Sequence, residues 1–554
     1  MEVGALSVRF VLAGERTSEL LMRWGRAIAA AGAVVALVVP GVAAPAAAAE
    51  AKYVGELALT ETGVVRGTAA TDLVTFKGVP YAAPPVGPLR WRAPQPAKAW
   101  DGVLDATNFR SQCAQLGGLG GIIESYEENC LYLNVFAPKT SGVKPVVVWF
   151  YGGGFQNGTS STYDAARLAV QGDVVVVTVN YRVGVLGFLA LPSLDGETPG
   201  VQSGNFGIQD QRASLKWVQR NIAGFGGNPG NITIGGQSAG AGAACIHLAS
   251  PASAGLFQRA IGETYSCGSP LLTKDAAETM GTTVATQFGC ADAAAAADCL
   301  RGKTDVKALM QAWPPLPQGP VVGGSEQPLQ PIDAFRQGKF NRVPMLWGNN
   351  RDEMRMIVSI QYDASGNPVT AESYPQIIRN TFGVDADRVL AKYPASAYPT
   401  PGLALSQVLS DAGDDQLATC QHVTAYRAAI AGQAKLFVYQ FSDRTAPPVV
   451  DIPSFDEGAE HGSELNYLFP KFTGATLNAA QQALSDQMVK YWSTFARTGD
   501  PNAYGLPAWP RFSTGTARDT LSLDLASAGG NQKIDLATRS QCDFWATVPP
   551  PPGA

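Results

Sequence analysis

The fold is decided by one stretch, Asn231-Ile232-Thr233-Ile234-Gly235-Gly236-Gln237-Ser238-Ala239-Gly240. Its apolar first half predicts a short strand, and the small residues from Ala241 to Ser250 predict a helix after it. The Gly-x-Ser-x-Gly pattern between them is typical of a sharp turn that lifts the Ser238 hydroxyl above a sheet, with glycines where side chains would clash. The pattern alone also fits an ordinary glycine-rich turn, so the choice depends on the rest of the chain.

Other apolar runs predict the sheet to which this strand belongs. Further strands are predicted at Leu131–Phe136, Val146–Phe150, Val174–Tyr181, Arg259–Glu263, Val343–Trp347 and Lys435–Phe441. Helices are predicted between and after them, from Gln209 to Ile222 and from Asn478 to Thr498, where Asn478 and Gln481 have the spacing of a capping box. Strands that alternate with helices predict an α/β fold with a large, mostly parallel central sheet and helices on both faces.

The N-terminus is typical of a secretory signal. A basic segment, Met22–Arg26, precedes the apolar run Ala27–Val39, and Ala43–Ala49 offers an Ala-x-Ala cleavage site before Glu50. We predict that residues 1–49 are a signal peptide, with Met22 as the candidate true start, and that residues 50–554 are one catalytic domain. A retained N-terminal anchor is the alternative, but the apolar run is short for a membrane span. We therefore expect a secreted protein, either extracellular, periplasmic or at the cell surface, without a stable membrane anchor.

Composition excludes several classes of function. The net charge of −5 gives no reason to expect nucleic acid or an anionic membrane as a partner. Eight cysteines in an exported chain can form disulfides, whereas three histidines and the absence of a Cys-x-x-Cys pair argue against a zinc site. We expect neither a metal nor another cofactor.

A serine nucleophile needs a base, and the chain has three histidines to supply it. His247 follows Ser238 within the predicted helix and His422 falls in another helical pattern, so both are interpreted as core residues. His461 lies in the glycine-flanked segment Gly458–Gly462, where a loop on a rigid scaffold can present a catalytic group. We favour His461 as the base over its alternative as a solvated loop histidine.

The acid and the oxyanion donors are sought at the ends of predicted strands. Asp352 and Glu353 both follow the strand Val343–Trp347, and their spacing does not distinguish them. Tyr151–Phe155 contains three consecutive glycines directly after a buried strand, so its backbone can approach a ligand closely. Two of these glycine N–H groups, with that of Ala239, could stabilise an oxyanion.

Two longer signatures extend these local patterns. The first is Phe225-Gly226-Gly227 followed after four residues by Ile232–Gly240, and the second is Glu128–Val135, with Asn129 where an Asp is usual. From about Val65 to Trp545 the chain resembles the type-B carboxylesterase and cholinesterase family of the α/β-hydrolase fold.

The resemblance implies a secreted serine hydrolase of carboxylic esters that works through an acyl-enzyme intermediate. It implies Ser238 as nucleophile, Glu353 as acid and His461 as base. It further implies three oxyanion donors and three disulfides, namely the N–H groups of Gly153, Gly154 and Ala239, and the pairs Cys113–Cys130, Cys290–Cys299 and Cys420–Cys542. Cys245 and Cys267 fall outside this pattern, either paired with each other or left as buried thiols.

The expected partner is a small-molecule ester. The alternatives are a lipase, an amidase, or a carbamate or lactone hydrolase using the same site, and a non-catalytic binding module that resembles the cholinesterases. One departure from the family concerns the nucleophile turn, because Gln237 stands where the family usually has Glu, and Glu263 stands where it often has Gln. We hypothesise that a buried carboxylate–amide pair is kept with its members exchanged.

Overall fold

The computed structural model describes residues 55–549, except residues 119–121, 196, 198–199, 315–318, 414, 471 and 514–516. All of them fall within one compact unit, Ala48–Ala554. The predicted signal peptide and its candidate start at Met22 lie outside the described residues, so they stay predictions. Within the described ranges, none of the helices is both long and apolar enough to cross a membrane.

In the part of the chain that the structure describes, the strands form two sheets, one of eleven strands and one of three. The three-stranded sheet contains β1 (Leu57–Thr60), β2 (Gly63–Arg66) and β5 (Val103–Asp105). The large sheet contains β3 (Thr68–Ala69), β4 (Leu73–Pro80), β6 (Tyr132–Pro138), β7 (Lys144–Phe150), β8 (Val175–Val179), β9 (Gly227–Gln237), β10 (Arg259–Glu263), β11 (Met345–Asn350), β12 (Leu436–Phe441), β13 (Thr520–Leu523) and β14 (Gln532–Ile534).

The large sheet has the order β14-β13-β12-β11-β10-β9-β7-β8-β6-β4-β3. Every neighbouring pair from β13 to β8 is parallel, and the strands at both margins run antiparallel. Parallel strands are covered on both faces, which is why every residue of β7 and β8 is buried and why Val146–Phe150 of β7 is an uninterrupted apolar run. The predicted α/β class with a mostly parallel sheet is therefore confirmed.

Helices lie on both sides of this sheet. They are α1 (Ala166–Gly172), α2 (Gly184–Phe188), α3 (Pro192–Asp195), α4 (Phe206–Asn221), α5 (Ala239–Ala249), α6 (Lys274–Gln287), α7 (Ala296–Arg301), α8 (Val306–Gln311), α9 (Pro331–Arg336), α10 (Arg355–Val358), α11 (Ser373–Phe382), α12 (Ala386–Lys392), α13 (Pro401–Asp411), α14 (Thr419–Ala431), α15 (Leu465–Leu468), α16 (Ala479–Thr498), α17 (Leu536–Arg539) and α18 (Cys542–Trp545). The predicted capping box is present at α16, where Asn478 accepts from the Gln481 backbone and Gln481 accepts from the Asn478 backbone.

Four disulfides connect these elements. Three are the pairs that the family resemblance implies, Cys113–Cys130, Cys290–Cys299 and Cys420–Cys542. The fourth joins Cys245, in the helix that follows Ser238, to Cys267. These two cysteines are therefore paired with each other and are not buried free thiols. Cys420–Cys542 ties α14 to the C-terminal α18.

Removal of Cys420–Cys542 by a double substitution to alanine is expected to lower the free energy of unfolding by about 5 kcal/mol, because the bond closes a loop with a sequence separation of 122. The matched control is Cys290→Ala with Cys299→Ala, whose bond closes a separation of only 9 and is expected to contribute about 2.5 kcal/mol. Urea unfolding of the oxidised proteins measures both losses. Equal losses would contradict the loop-entropy explanation.

Candidate active site

Ser238 lies at the junction between β9 and α5, in a backbone conformation that is strained for a residue with a side chain. Its φ of 55° and ψ of −129° lie outside the regions that L-residues usually adopt. Its amide N–H donates to the Glu263 carbonyl at 2.8 Å, and its own carbonyl accepts from Gly242 at 3.0 Å. The turn therefore holds Ser238 at the carboxyl end of β9 with its side chain partly exposed.

The two glycines of the Gly-x-Ser-x-Gly pattern are required by close backbone packing. A Cβ at Gly236 would lie 2.5 Å from the Gly240 carbonyl carbon and 2.6 Å from the Phe150 oxygen. A Cβ at Gly240 would lie 2.0 Å from the same Phe150 oxygen. The turn thus packs tightly against the end of β7. This packing favours a nucleophile turn over an ordinary glycine-rich turn.

His461 lies in the segment between β12 and α15, and its ring contacts Glu353. The Nδ1 atom of His461 is 2.7 Å from Oε2 of Glu353. The other carboxylate oxygen, Oε1, accepts from the Asn350 backbone N–H at 2.5 Å. Glu353 is fully buried, and His461 is 9% exposed. These contacts assign the imidazole proton to Nδ1 and leave a lone pair on Nε2.

Burial and pairing act in opposite directions on the two ionisable groups. Burial disfavours the imidazolium, but the carboxylates of Glu353, Glu464 and Asp415 together outweigh it and raise the pKa of His461 above its ordinary value. Burial also raises the pKa of Glu353, and the hydrogen bond from His461 opposes that rise. A buried carboxylate that binds Nδ1–H is the arrangement that stabilises an imidazolium formed during catalysis.

Asp352, the other candidate acid, has a different set of partners. Its carboxylate accepts from Arg444 Nε at 2.8 Å and Nη2 at 2.6 Å, and from the Ala459 backbone N–H at 3.0 Å. Burial alone would raise the pKa of Asp352, but Arg444 and Arg355 lower it. Asp352 therefore anchors the segment that carries His461, and of the two carboxylates it is Glu353 that contacts the imidazole.

The remaining histidines lie in the core. The ring nitrogens of His247 bond Ser253 Oγ at 2.9 Å and Gln211 Oε1 at 3.0 Å, and His422 Nδ1 lies 3.2 Å from the Tyr426 hydroxyl. Burial lowers the pKa of each to about 3. Both rings therefore stay neutral near pH 7, as expected for core residues.

The glycine segment after β7 packs directly against the nucleophile turn. A Cβ at Gly152 would lie 2.8 Å from the Gln237 carbonyl oxygen and 3.0 Å from the Ser238 Cβ. Gly153 and Gly154 have φ values of 109° and 63°, which favour glycine. In the described part of the chain their N–H groups donate to no other residue. The N–H of Ala239, first residue of α5, belongs to the helix turn whose donors lack intrahelical acceptors.

Gln237 makes a contact that the sequence did not suggest. Its Nε2 atom donates to Thr264 Oγ1 at 2.8 Å and lies 3.3 Å from the lone-pair nitrogen, Nε2, of His461. Among the described residues the Ser238 hydroxyl makes no hydrogen bond, so the structure brings the imidazole to Gln237 rather than to the serine. Catalytic hydrogen bonds often form only when substrate is bound. The only indication of this contact in the sequence was that Gln237 directly precedes Ser238.

The hypothesised pair between Gln237 and Glu263 is wrong. The two residues are in register on the parallel strands β9 and β10. Glu263, however, accepts from the Trp492 indole N–H at 2.7 Å, while the Gln237 amide is bound to Thr264. The Trp492 donor comes from α16, so nothing in the local sequence could indicate it.

No group of three or more His, Cys, Asp or Glu side chains among the residues described could hold a metal ion. The arrangement that the structure assembles is a strained serine, an imidazole bound to a buried carboxylate, and free backbone N–H groups beside the serine. Such a set can perform nucleophilic attack on a carbonyl, with proton transfer by the imidazole and stabilisation of the oxyanion.

Comparison with known proteins gives consistent results. The model of the carboxylesterase family matches residues 55–545. Fumonisin B1 esterase from Sphingopyxis macrogoltabida is 35% identical over 473 residues, covering 82% of this chain and 84% of that protein. Para-nitrobenzyl esterase from Bacillus subtilis is 33% identical, covering 85% and 95%. A solved PNB esterase structure matches with a TM-score of 0.70 at 32% identity, covering 85% of this chain and 96% of that one.

Proposed function

The chain belongs to the carboxylesterase family and is an α/β-hydrolase that hydrolyses carboxylic esters, and from this premise we propose that it is a secreted serine esterase. Residues 50–554 form its catalytic domain, and an acyl-enzyme intermediate forms on Ser238. The observation that carries the proposal is the 2.7 Å contact between His461 and the buried Glu353, beside the strained turn of Ser238. The eight cysteines, all in disulfides, support an exported protein.

The reaction uses each of these groups in turn. The imidazole moves from Gln237 to Ser238 and takes the hydroxyl proton at Nε2 while Oγ attacks the ester carbonyl. Glu353 stabilises the imidazolium, and the N–H groups of Gly153, Gly154 and Ala239 bind the oxyanion. His461 then gives the proton to the leaving alcohol. Water repeats the cycle on the acyl-enzyme, and the carboxylic acid is released.

An acyl adduct on Ser238 tests this mechanism directly. The mature protein is mixed with a chromogenic ester, quenched in acid within milliseconds, digested and analysed by mass spectrometry. We expect the acyl mass on the peptide that contains Ser238. An adduct on another residue, or turnover with no adduct and no burst of alcohol, would contradict the proposed nucleophile.

The type of bond is tested by comparing substrates. Rates on a series of esters with lengthening acyl chains, set against the matching amides, carbamates and lactones, are expected to be highest on esters, the class of substrate that the family implies. A preference for long, dispersed acyl chains would indicate a lipase, and faster cleavage of amides would indicate an amidase.

Secretion is tested by N-terminal sequencing of protein recovered outside the producing cell, which is expected to show cleavage before Glu50. Retention of residues 22–49 would favour the anchored alternative.

Gln237→Glu is expected to shift the pH dependence of kcat/KM. The working base is the neutral imidazole, so activity falls as the pH drops through the pKa of His461. Glu353, Glu464 and Asp415 already raise this pKa. A carboxylate at position 237, close to Nε2, would raise it further, and the acid limb of kcat/KM should move to higher pH by about 1 unit.

The matched control for this prediction is Gln237→Met, which removes the amide donor and adds no charge, so its acid limb should not move upward. The acid limb can be assigned to His461 because burial lowers the pKa values of both other histidines to about 3. Coincident acid limbs for Gln237→Glu and the wild type would contradict a contact between residue 237 and the base.

A further inference from the structure

A cavity of about 330 Å³ lies where β11 and β12 end against α12, α13 and α17. Its wall carries three cationic side chains and one carboxylate, from Arg351, Lys392, Arg539 and Asp411. None of the side chains in the proposed catalytic set lines it. Positive charge is concentrated here although the chain as a whole has a net charge of −5.

Arg351 is the central feature of this cavity. Its backbone N–H donates to the Phe441 carbonyl at 2.9 Å, which fixes the residue directly after β11. In the described ranges its half-buried guanidinium has neither a hydrogen-bond acceptor nor a salt-bridge partner. Burial and the charges of Arg539 and Arg444 lower the pKa of Arg351 to about 10, and Asp352 and Asp524 oppose this shift in part. A half-buried cation that faces two like charges is unfavourable unless an anion compensates it.

The nearby carboxylates do not supply that compensation through contact. Arg444 donates two hydrogen bonds to the Asp352 carboxylate, so this carboxylate pairs with Arg444 and not with Arg351. Asp411 accepts from the Tyr393 hydroxyl at 3.1 Å and from Gln407 at 3.0 Å, and burial raises its pKa to about 6. Asp524 attracts Arg351 only at longer range. The cationic wall therefore keeps unused hydrogen-bond donors.

We propose that this cavity binds a small oxyanion, a phosphate or carboxylate group held by Arg351 and Arg539 with Lys392 at its exposed edge. The planar guanidinium fork matches both groups in two-point fashion, and Arg539 is oriented by its 2.9 Å bond to Gln440 Oε1. A volume of about 330 Å³ accepts such a group with a small organic substituent. This binding function is separate from ester hydrolysis and does not depend on the catalytic mechanism.

Inorganic phosphate is the first probe, with the mature protein at pH 7 and ionic strength held constant with sodium chloride. Titration calorimetry is expected to give a Kd below about 10 mM, and Tm should rise with phosphate by mass action. Arg351→Gln should weaken binding at least tenfold, because a charged two-point contact is lost. The control Arg220→Gln alters an exposed arginine paired with Glu61 on another part of the surface and should bind phosphate as the wild type does.

Arg539→Gln provides a second variant, with an exposed side chain, should Arg351→Gln fail to fold. Succinate, titrated in the same way, separates a preference for carboxylate from one for phosphate, and tighter binding of either supports the site. No saturable binding of phosphate or succinate up to about 100 mM, well above the expected Kd, would overturn the proposal. Equal affinity in the wild type and in both variants at this cavity would overturn it too.

Discussion

Ser238→Ala is expected to lower kcat for ester hydrolysis by roughly 10⁴- to 10⁶-fold. The substitution removes the only atom that can form the acyl-enzyme in the proposed mechanism, whereas the oxyanion donors remain. Residual activity over the uncatalysed reaction is therefore expected, from binding and oxyanion stabilisation alone. The burst of alcohol that precedes steady turnover should disappear, since no covalent intermediate accumulates. Initial rates and stopped-flow measurements on one chromogenic ester report both quantities.

The matched control is Ser161→Ala, which removes an exposed hydroxyl whose one hydrogen bond among the described residues is with Thr159 Oγ1. It should retain both the rate and the burst. Alanine keeps the same Cβ at the strained φ of 55°, so the backbone strain is the same as in the wild type and the variant is expected to fold, which far-ultraviolet circular dichroism and Tm verify. A burst that survives in Ser238→Ala would remove Ser238 from the mechanism.

Much of the fold could be predicted from local patterns. Residues Arg259–Glu263 were predicted as a strand and form β10 with the same bounds. Buried parallel strands give uninterrupted apolar runs, which is the clearest pattern in this chain. The boundaries were less accurate where polar residues extend an element. β9 begins at Gly227, four residues before the predicted strand, since Gly227 pairs with Lys144 of β7.

The site was predictable as far as motifs identify single residues. The contacts between them were not, because they depend on which way a side chain faces. Asp352 and Glu353 are neighbours after β11, yet one turns to Arg444 and the other to His461. The wrong pairing of Gln237 with Glu263 has the same origin, because Trp492 of α16 supplies a donor from a distant part of the chain. The cavity around Arg351 likewise combines elements that no periodic pattern connects.

Glu353→Gln is expected to lower kcat/KM for ester hydrolysis by about 10³- to 10⁴-fold. The amide cannot stabilise the imidazolium as a carboxylate does, and it can present its NH₂ group to Nδ1 and so favour the wrong tautomer. The acid limb of the pH profile gives an independent readout. Because the Glu353 carboxylate raises the pKa of His461, its removal should move that limb to lower pH. An effect on packing alone would change the rate without moving the limb.

Asp352→Asn is the matched control, one residue away with a similar burial and a similar loss of one charge. It breaks the ion pair with Arg444 and leaves an oxygen that can still accept from the Ala459 N–H. We expect a loss of about 3 kcal/mol in the free energy of unfolding, with kcat/KM within about tenfold of the wild type at a temperature where the protein is folded. Reversed phenotypes, with catalysis lost in Asp352→Asn and kept in Glu353→Gln, would assign the acid to Asp352. The two variants therefore separate orientation of the base from anchoring of the segment that carries it.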